Sequence, residues 1–583
     1  MKPTLALPAL LADSLIIAGL IVAGLTLASP APAAADTLVD NVDGFTLDGD
    51  GGVERLTGLV IGSDGRIVQV LHRGDKRPSR PDYLVDGKGQ ILMPGLFDSH
   101  VQMSELGFSG LTLDLSAARS LAEAQARIAA YAAAHPDRPW IIGRGWDTER
   151  WGLGRLPTAA DLDAAVKDRP VWLIAAEGQL GWANSAALAA GGVTLASKDP
   201  SGGRIERLAG SQKPSGILAG QATALIEAIA PPPRPVDRDV ALANAQEQLL
   251  KHGVTAVADM GTTIEEWQAY RRAGDAGTLR VRVVAYARGI DAMTLIAGSA
   301  PGPWLYDDRL RMGGVSLDLD GSLASRGAWL KAAYADSPTI GLPRLSGTQL
   351  RNLMSRAAMD GFQIAIQASG DAATGTALDA IAELAPTYTG ERRWRIEHAD
   401  LVNAADFARY GAFGVAASMQ PARLTRALPI AEARLGPARL AGAHAWNALA
   451  SGGARLAFGS DAPTSPPDPF AGMAAAITRQ DAEGQPFGGW QPQARVTREA
   501  ALAAYTTQGA WAAFAERRFG RLAPGLRADF VLVDRDPLLA SPSDLRAIRV
   551  LETWVGGQKV YAANIPPVTS ARQEDPAGRR ATP

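Results

Sequence analysis

Cysteine is absent from the 583 residues. Its absence excludes disulfides and a cysteine-linked lipid anchor. The folded chain must therefore be held by packed cores, which a polypeptide of this length can build. Histidine is nearly as scarce, with 6 residues in all, so each one can be weighed individually. Neither charge is in excess: the net charge is −2 and no dense Lys/Arg run occurs, which argues against a nucleic-acid partner. The composition, 47% hydrophobic and 20% charged, is that of a globular protein. The apolar run LIIAGLIVAGLTLA (15–28) falls short of the roughly 20 residues a spanning helix needs. It follows Lys2 and precedes Ala33 and Ala35, the small residues of an A-x-A cleavage pattern. Residues 1–35 are read as a secretory signal cleaved after about Ala35, with an uncleaved anchor as the alternative. The expectation is an exported protein, periplasmic or secreted, with no stable membrane span after signal removal. The polar tail at 566–583 is expected to be disordered.

What is present is order along the chain. LTGLVIGSDGRIVQVLH reads as a hairpin turning at SDGR, and RADFVLVDRDP (527–537) and RVLETWVGGQKVYAA (549–563) read as strands near the other end. Together they predict one sheet domain assembled from 36–94 and 520–565. Between them, strand patterns such as GVTAVAD (253–259), FQIAIQA (362–368) and RLAFGSD (455–461) alternate with amphipathic stretches such as TQLRNLMSRAAMDG (348–361). Repeated β-α units predict a parallel sheet closed into a (β/α)₈ barrel over 95–519. His100, Gln367, His398 and Asp461 each follow an apolar run, the position that faces a barrel's mouth. Residues 105–240 do not fit one barrel unit. Their tryptophan-rich turns, WIIGRGWDTERWG (140–152) and EGQLGWANSAAL (177–188), predict an inserted α+β segment over the mouth. The tryptophans are either core or pocket residues.

Ordered motifs carry more than pattern. LMPGLFDSH (92–100), GWANSAAL (181–188), DGSLASRG (320–327), RIEHA (395–399), ASMQP (417–421), FGSDAP (458–463) and GRLAPGLRADFVLVDRDP (520–537) resemble the amidohydrolase superfamily. The resemblance is to its amidohydrolase-3 branch, the YtcJ-like and N-substituted formamide deformylase-like proteins, and runs from about Leu38 to Tyr561. It implies an α/β fold: a (β/α)₈ TIM-like barrel, a β-sandwich built from both chain ends, and the inserted segment. It also implies metal-assisted hydrolysis of a non-peptide carbon–nitrogen bond in a small amide-like substrate. The family's usual centre holds two divalent ions, commonly zinc, through H-x-H, a carboxylated lysine, two later histidines and an aspartate.

Residue by residue, the match is partial. His100, His398 and Asp461 stand at ligand positions, with Asp461 also in the catalytic place. The second histidine of H-x-H is Gln102, the lysine is Ser316, and the histidine after the next strand is Gln367. The substrate-side histidine is Gln179, and MQPARLTRA lacks the histidine often found after MQP. A glutamine offers only a neutral amide oxygen, and a serine cannot form a carbamate. Asp318 and Glu105 are possible compensating carboxylates, whereas Lys331 is too far along the chain to replace the lysine without a different geometry. His72, His135, His252 and His444 match no ligand position and are expected at the surface or in packing. Trp146, Asp320 and Arg326 join Gln179 as candidate pocket residues, with Trp182 and Asp371 in neighbouring motifs. Two readings stay open: an exported amidohydrolase with an altered centre, using zinc or another divalent metal, or a metal-free pseudoenzyme that binds a small molecule. The sequence leaves the oligomeric state undetermined.

Overall fold

The computed structural model describes residues 36–48 and 51–564. The expected signal (1–35) and disordered tail (566–583) lie outside the described residues. Eight strands form one all-parallel sheet: β1 (Leu96–Val101), β2 (Val254–Thr262), β3 (Arg282–Arg288), β4 (Leu310–Asp318), β5 (Gln363–Ala368), β6 (Arg395–His398), β7 (Ala416–Met419) and β8 (Arg455–Phe458). Each pairs with its neighbour in chain order. The ring closes where β8 meets β1: Val101 bridges Ala462, and the Asp461 N–H donates to the His100 carbonyl at 2.8 Å. The fold is thus a (β/α)₈ barrel. Both faces of such a sheet are covered, so its strands are buried almost throughout; all of β1 is buried.

The outer helices present one apolar stripe. In Gly347–Met359, Leu350, Met354, Ala357 and Ala358 are buried, the i, i+4, i+7, i+8 spacing of one helix face. Ser346 starts this helix by accepting the Gln349 N–H, and Gln349 returns a side-chain bond to the Ser346 N–H.

Two further sheets pack as a sandwich. One is ordered Ile67–Leu71, Gly58–Ile61, Thr37–Asp40 and Tyr83–Asp86, and contains the hairpin that turns at SDGR. The other joins the chain ends: Ile91–Pro94 runs antiparallel to Phe530–Val533. Val39, Leu59, Ile67, Leu92, Phe530 and Trp554 share the core between these sheets. Arg282 of β3 fastens the sandwich to the barrel through a buried pair with Asp529 at 2.6 Å.

Between β1 and β2 lies a separate six-stranded sheet, running from Leu113–Asp114 to Pro214–Gly220. It has its own cores, one containing Trp146, Trp151 and Trp182. The chain leaves the barrel through helix Met103–Ser109 and returns through Pro235–Lys251, which pack together.

Candidate metal centre

Strand alternation turns Asp98 and His100 to one side of β1, toward the barrel seam. Asp98 accepts the backbone N–H groups of His100 (3.1 Å) and Ser460 (2.9 Å) and the Ser460 hydroxyl (2.5 Å). This ties the ends of β1 and β8 together and sets Asp461 opposite His100. Gly459 is required there: a Cβ would lie 2.4 Å from the His100 nitrogen and 2.8 Å from the Asp98 carboxylate. Asp461 and His398 have φ of +57° and +69°, a conformation that is uncommon outside glycine and that collects at functional sites.

His100 is fully buried and held from behind. Its Nδ1–H donates to Glu397 Oε2 at 2.8 Å, and Glu397 Oε1 accepts from Arg395 Nε at 2.7 Å. With Nδ1 donating, Nε2 of the neutral ring carries a lone pair. That atom is buried without a hydrogen-bond partner among the described residues, and Asp461 Oδ1 stands 3.6 Å away. Burial opposes charge on this imidazole, but Glu397 and Asp461 outweigh it and raise its pKa. Burial likewise raises Glu397, yet Arg395 and His100 prevail and hold it down at about 2.

His398 faces a more crowded wall. Its Nδ1 lies 2.9 Å from Gln420 Oε1 and 2.8 Å from Arg423 Nη1; its Nε2 lies 3.4 Å from Gln367 Oε1. Gln367 also donates to the Ser316 hydroxyl at 3.1 Å. Arg423 reaches Asp461 Oδ2 at 3.4 Å and Asp400 Oδ2 at 3.8 Å. Burial, then Arg423 and His100, lower the His398 pKa. The ring centroids of His100 and His398 are 4.7 Å apart.

One nitrogen from each histidine and a carboxylate oxygen of Asp461 lie within 4.8 Å of one another. Two imidazoles and a carboxylate form a chemically suitable donor set for one divalent ion, and the orphaned His100 Nε2 is what such a site would leave. The suggested compensating carboxylates do not join it. Asp318 shares its strand face with Ser316 but lies at the outer end of β4, where it is exposed and paired with Arg344 at 3.1 Å. Glu105 belongs to the helix after β1 and faces Arg144 at 3.5 Å. Gln102 starts that helix, with its N–H on the Ala462 carbonyl. Lys331 pairs with Asp406 at 3.2 Å.

The amidohydrolase family model matches residues 84–561. The chain belongs to the amidohydrolase family. Protein LONG AFTER FAR-RED 3 of Arabidopsis thaliana is 32% identical over 92% of this chain and 93% of its own. The protein named YtcJ in Bacillus subtilis (strain 168) is 30% identical over 81% and 89%, respectively. N-substituted formamide deformylase of Arthrobacter pascens is 27% identical over 86% and 94%. Among solved structures, an uncharacterized metal-dependent hydrolase from Pyrococcus horikoshii superposes with a TM-score of 0.71 at 27% identity, covering 87% of this chain and 99% of that one.

In this member of the amidohydrolase family the four candidate pocket residues separate. Gln179 lines a small crevice between the insert and the loop after β4, together with Gly202, Gly220, Gly321, Gly327 and Arg344, and bonds to Arg344. Trp146 is instead buried in the insert's core, its indole N–H on the Leu173 carbonyl at 3.0 Å and its ring edge-on to Trp182 at 5.8 Å. Asp320 is buried and accepts the N–H groups of Trp329, Ser369 and Gly370, which makes it a loop brace. Asp371 does the same for the Lys331 N–H. Arg326 turns outward to Asp336 at 2.8 Å.

Sequence reasoning missed several residues of the centre. Arg395 and Glu397 sit inside RIEHA, and their i, i+2 spacing on a buried strand was the available signal. Arg423 lies in MQPARLTRA, a stretch that stood out only for lacking a histidine. His444 is buried beside Asp400 (3.7 Å), between Trp446 and Trp490, and burial lowers its pKa to about 4.

Proposed function

We propose that this amidohydrolase cleaves a non-peptide carbon–nitrogen bond in a small amide-type substrate, assisted by one divalent ion held by His100, His398 and Asp461. The observation that carries the reading is the buried His100 Nε2. Its ring is fixed from behind by Glu397 and Arg395, and that nitrogen has no hydrogen-bond partner among the described residues. Carboxylate–histidine pairs of this kind orient metal ligands and raise their basicity. The nitrogen-rich donor set favours zinc over the harder oxygen-seeking ions. The name of the Arthrobacter relative supports an N-substituted formamide or a similar amide as substrate.

When bound, the ion would supply Lewis acidity to the scissile carbonyl and acidify a water molecule. The protein's part is positional and protonic. Glu397 keeps the Nδ1 proton on His100 and so keeps Nε2 available. Asp461 presents Oδ1 toward His100 and Oδ2 toward Arg423. It is the group placed to take a proton from the attacking water and return it to the leaving nitrogen.

The test is zinc titration of the purified full chain followed by an N-substituted formamide and amide panel. Zinc at a hundredfold excess over Kd should stabilise the fold by about 2.7 kcal/mol. Hydrolysis should appear and vanish in Asp461→Asn. Absence of both zinc binding and hydrolysis would instead favour a small-molecule-binding protein. Gln102 and the Ser316–Gln367 hydrogen bond at otherwise ligating positions motivate that second reading. We also propose export directed by residues 1–35; the amino terminus of the protein recovered outside the cytoplasm should lie near Asp36, and an intact Met1 terminus there would refute cleavage.

A further inference from the structure

His398 Nδ1 is contested. Arg423 Nη1, which can only donate, approaches it to 2.8 Å; Gln420 Oε1, which can only accept, approaches it to 2.9 Å. The Gln420 amide is not free to turn over, because its Nε2 donates to the Ser418 carbonyl at 3.2 Å. One ring nitrogen cannot satisfy both neighbours, so the site has two self-consistent arrangements.

In the first, Arg423 donates to Nδ1. The ring proton then sits on Nε2, facing Gln367 Oε1 at 3.4 Å, and His398 has no lone pair left for an ion. In the second, Nδ1–H donates to Gln420, the guanidinium withdraws, and the Nε2 lone pair is released toward Asp461 and His100. The charges also favour an internal cation. Arg423 stands 3.4 Å from Asp461 Oδ2 and 3.8 Å from Asp400 Oδ2.

We propose that Arg423 is the resident cation of this pocket and that a divalent ion must displace it from His398 in order to bind. With Gln102, Ser316 and Gln367 in place of ligands for a second ion, and the guanidinium against His398 and Asp461, the pocket takes at most one ion per chain. This shares with the proposed function the premise that an ion can bind here, but the two are separable by experiment.

Zinc affinity and stoichiometry are measured by equilibrium dialysis with metal quantification on the full chain. The proteins are the wild type, Arg423→Gln, Arg423→Lys and His100→Ala, each checked for folding by thermal melting without metal. Removing a fixed positive charge a few ångströms from a divalent ion should tighten binding about tenfold or more. The expected result is therefore a tighter Arg423→Gln, a smaller gain in Arg423→Lys, and loss of binding in His100→Ala. Unchanged or weaker binding in a folded Arg423→Gln overturns the proposal while leaving the hydrolase reading intact, and so does a wild type holding two ions. Zinc bound by Arg423→Gln but not by the wild type supports the proposal and overturns metal-assisted catalysis in the native protein. No zinc on either protein overturns both. Independently of any variant, imidazole ¹⁵N–¹H correlations of the metal-free wild type should show the His398 proton on Nε2; a proton on Nδ1 overturns the proposal.

Discussion

Replacing Glu397 by glutamine tests the support behind His100 directly. Glu397 is wholly buried and joins Arg395 Nε (2.7 Å) to His100 Nδ1 (2.8 Å). Glu397→Gln keeps the shape and removes the charge, leaving the Arg395 guanidinium buried without its carboxylate. Arg395 would retain the Ser99 carbonyl at 2.5 Å and the Ser418 hydroxyl at 3.0 Å, so the loss should fall at the lower end of the roughly 3–5 kcal/mol for breaking a buried pair. The pKa gives a concordant figure. It lies near 2 instead of 4.5, which at about 1.4 kcal/mol per pH unit corresponds to about 3 kcal/mol. Because the folded-state value is depressed, this stabilisation is complete above pH 4.5 and disappears as pH falls toward 2. The assay is urea unfolding of both proteins across that range, with zinc affinity measured at pH 7. Expected are a deficit of about 3 kcal/mol at neutral pH, a gap that closes on acidification, and zinc affinity weaker by roughly 10–100-fold. A deficit under about 1 kcal/mol at pH 7, or a gap that persists unchanged to pH 2, would refute the assignment of Glu397 as the charged brace.

Two substitutions probe the seam and the insert. Gly459→Ala places a methyl 2.4 Å from the His100 nitrogen, so it should cost about 1–3 kcal/mol and weaken zinc binding by moving His100; wild-type values for both would show that the close approach is dispensable. Trp146→Phe removes the hydrogen bond to Leu173 and some core volume, and should lower stability by about 1–3 kcal/mol and speed proteolysis within the insert, leaving KM unchanged. A raised KM at wild-type stability would return Trp146 to the substrate pocket.

The barrel was legible because a strand buried on both faces writes a continuous apolar run, and eight such runs at β-α spacing leave few topologies. His100, Gln367, His398 and Asp461 were legible as mouth residues because each terminates such a run, and the resemblance to the family's motifs picked out His100, His398 and Asp461 as ligands. The pocket assignments were less so. Trp146 and Asp320 lie in recognisable motifs, but motif membership does not distinguish a side chain that meets substrate from one that packs a core or braces a loop. Asp318 shows the limit of strand periodicity: it shares a face with Ser316, yet one step farther along β4 it has passed the rim and Arg344 takes it.

Local patterning therefore determined the strands, their parallel order and the polar residues at their ends, since periodicity and strand ends are properties of neighbouring residues. The resemblance to the amidohydrolases marked three of those residues as ligand candidates. Only the tertiary structure decided what surrounds those candidates. Glu397 meets His100 across 297 positions of chain, and Arg423 meets His398 and Asp461 from a segment whose sequence advertises only a missing histidine. Charge and hydrogen-bond competition act through space, so the partner that holds His100 ready and the cation that contests His398 become visible only once the barrel has closed.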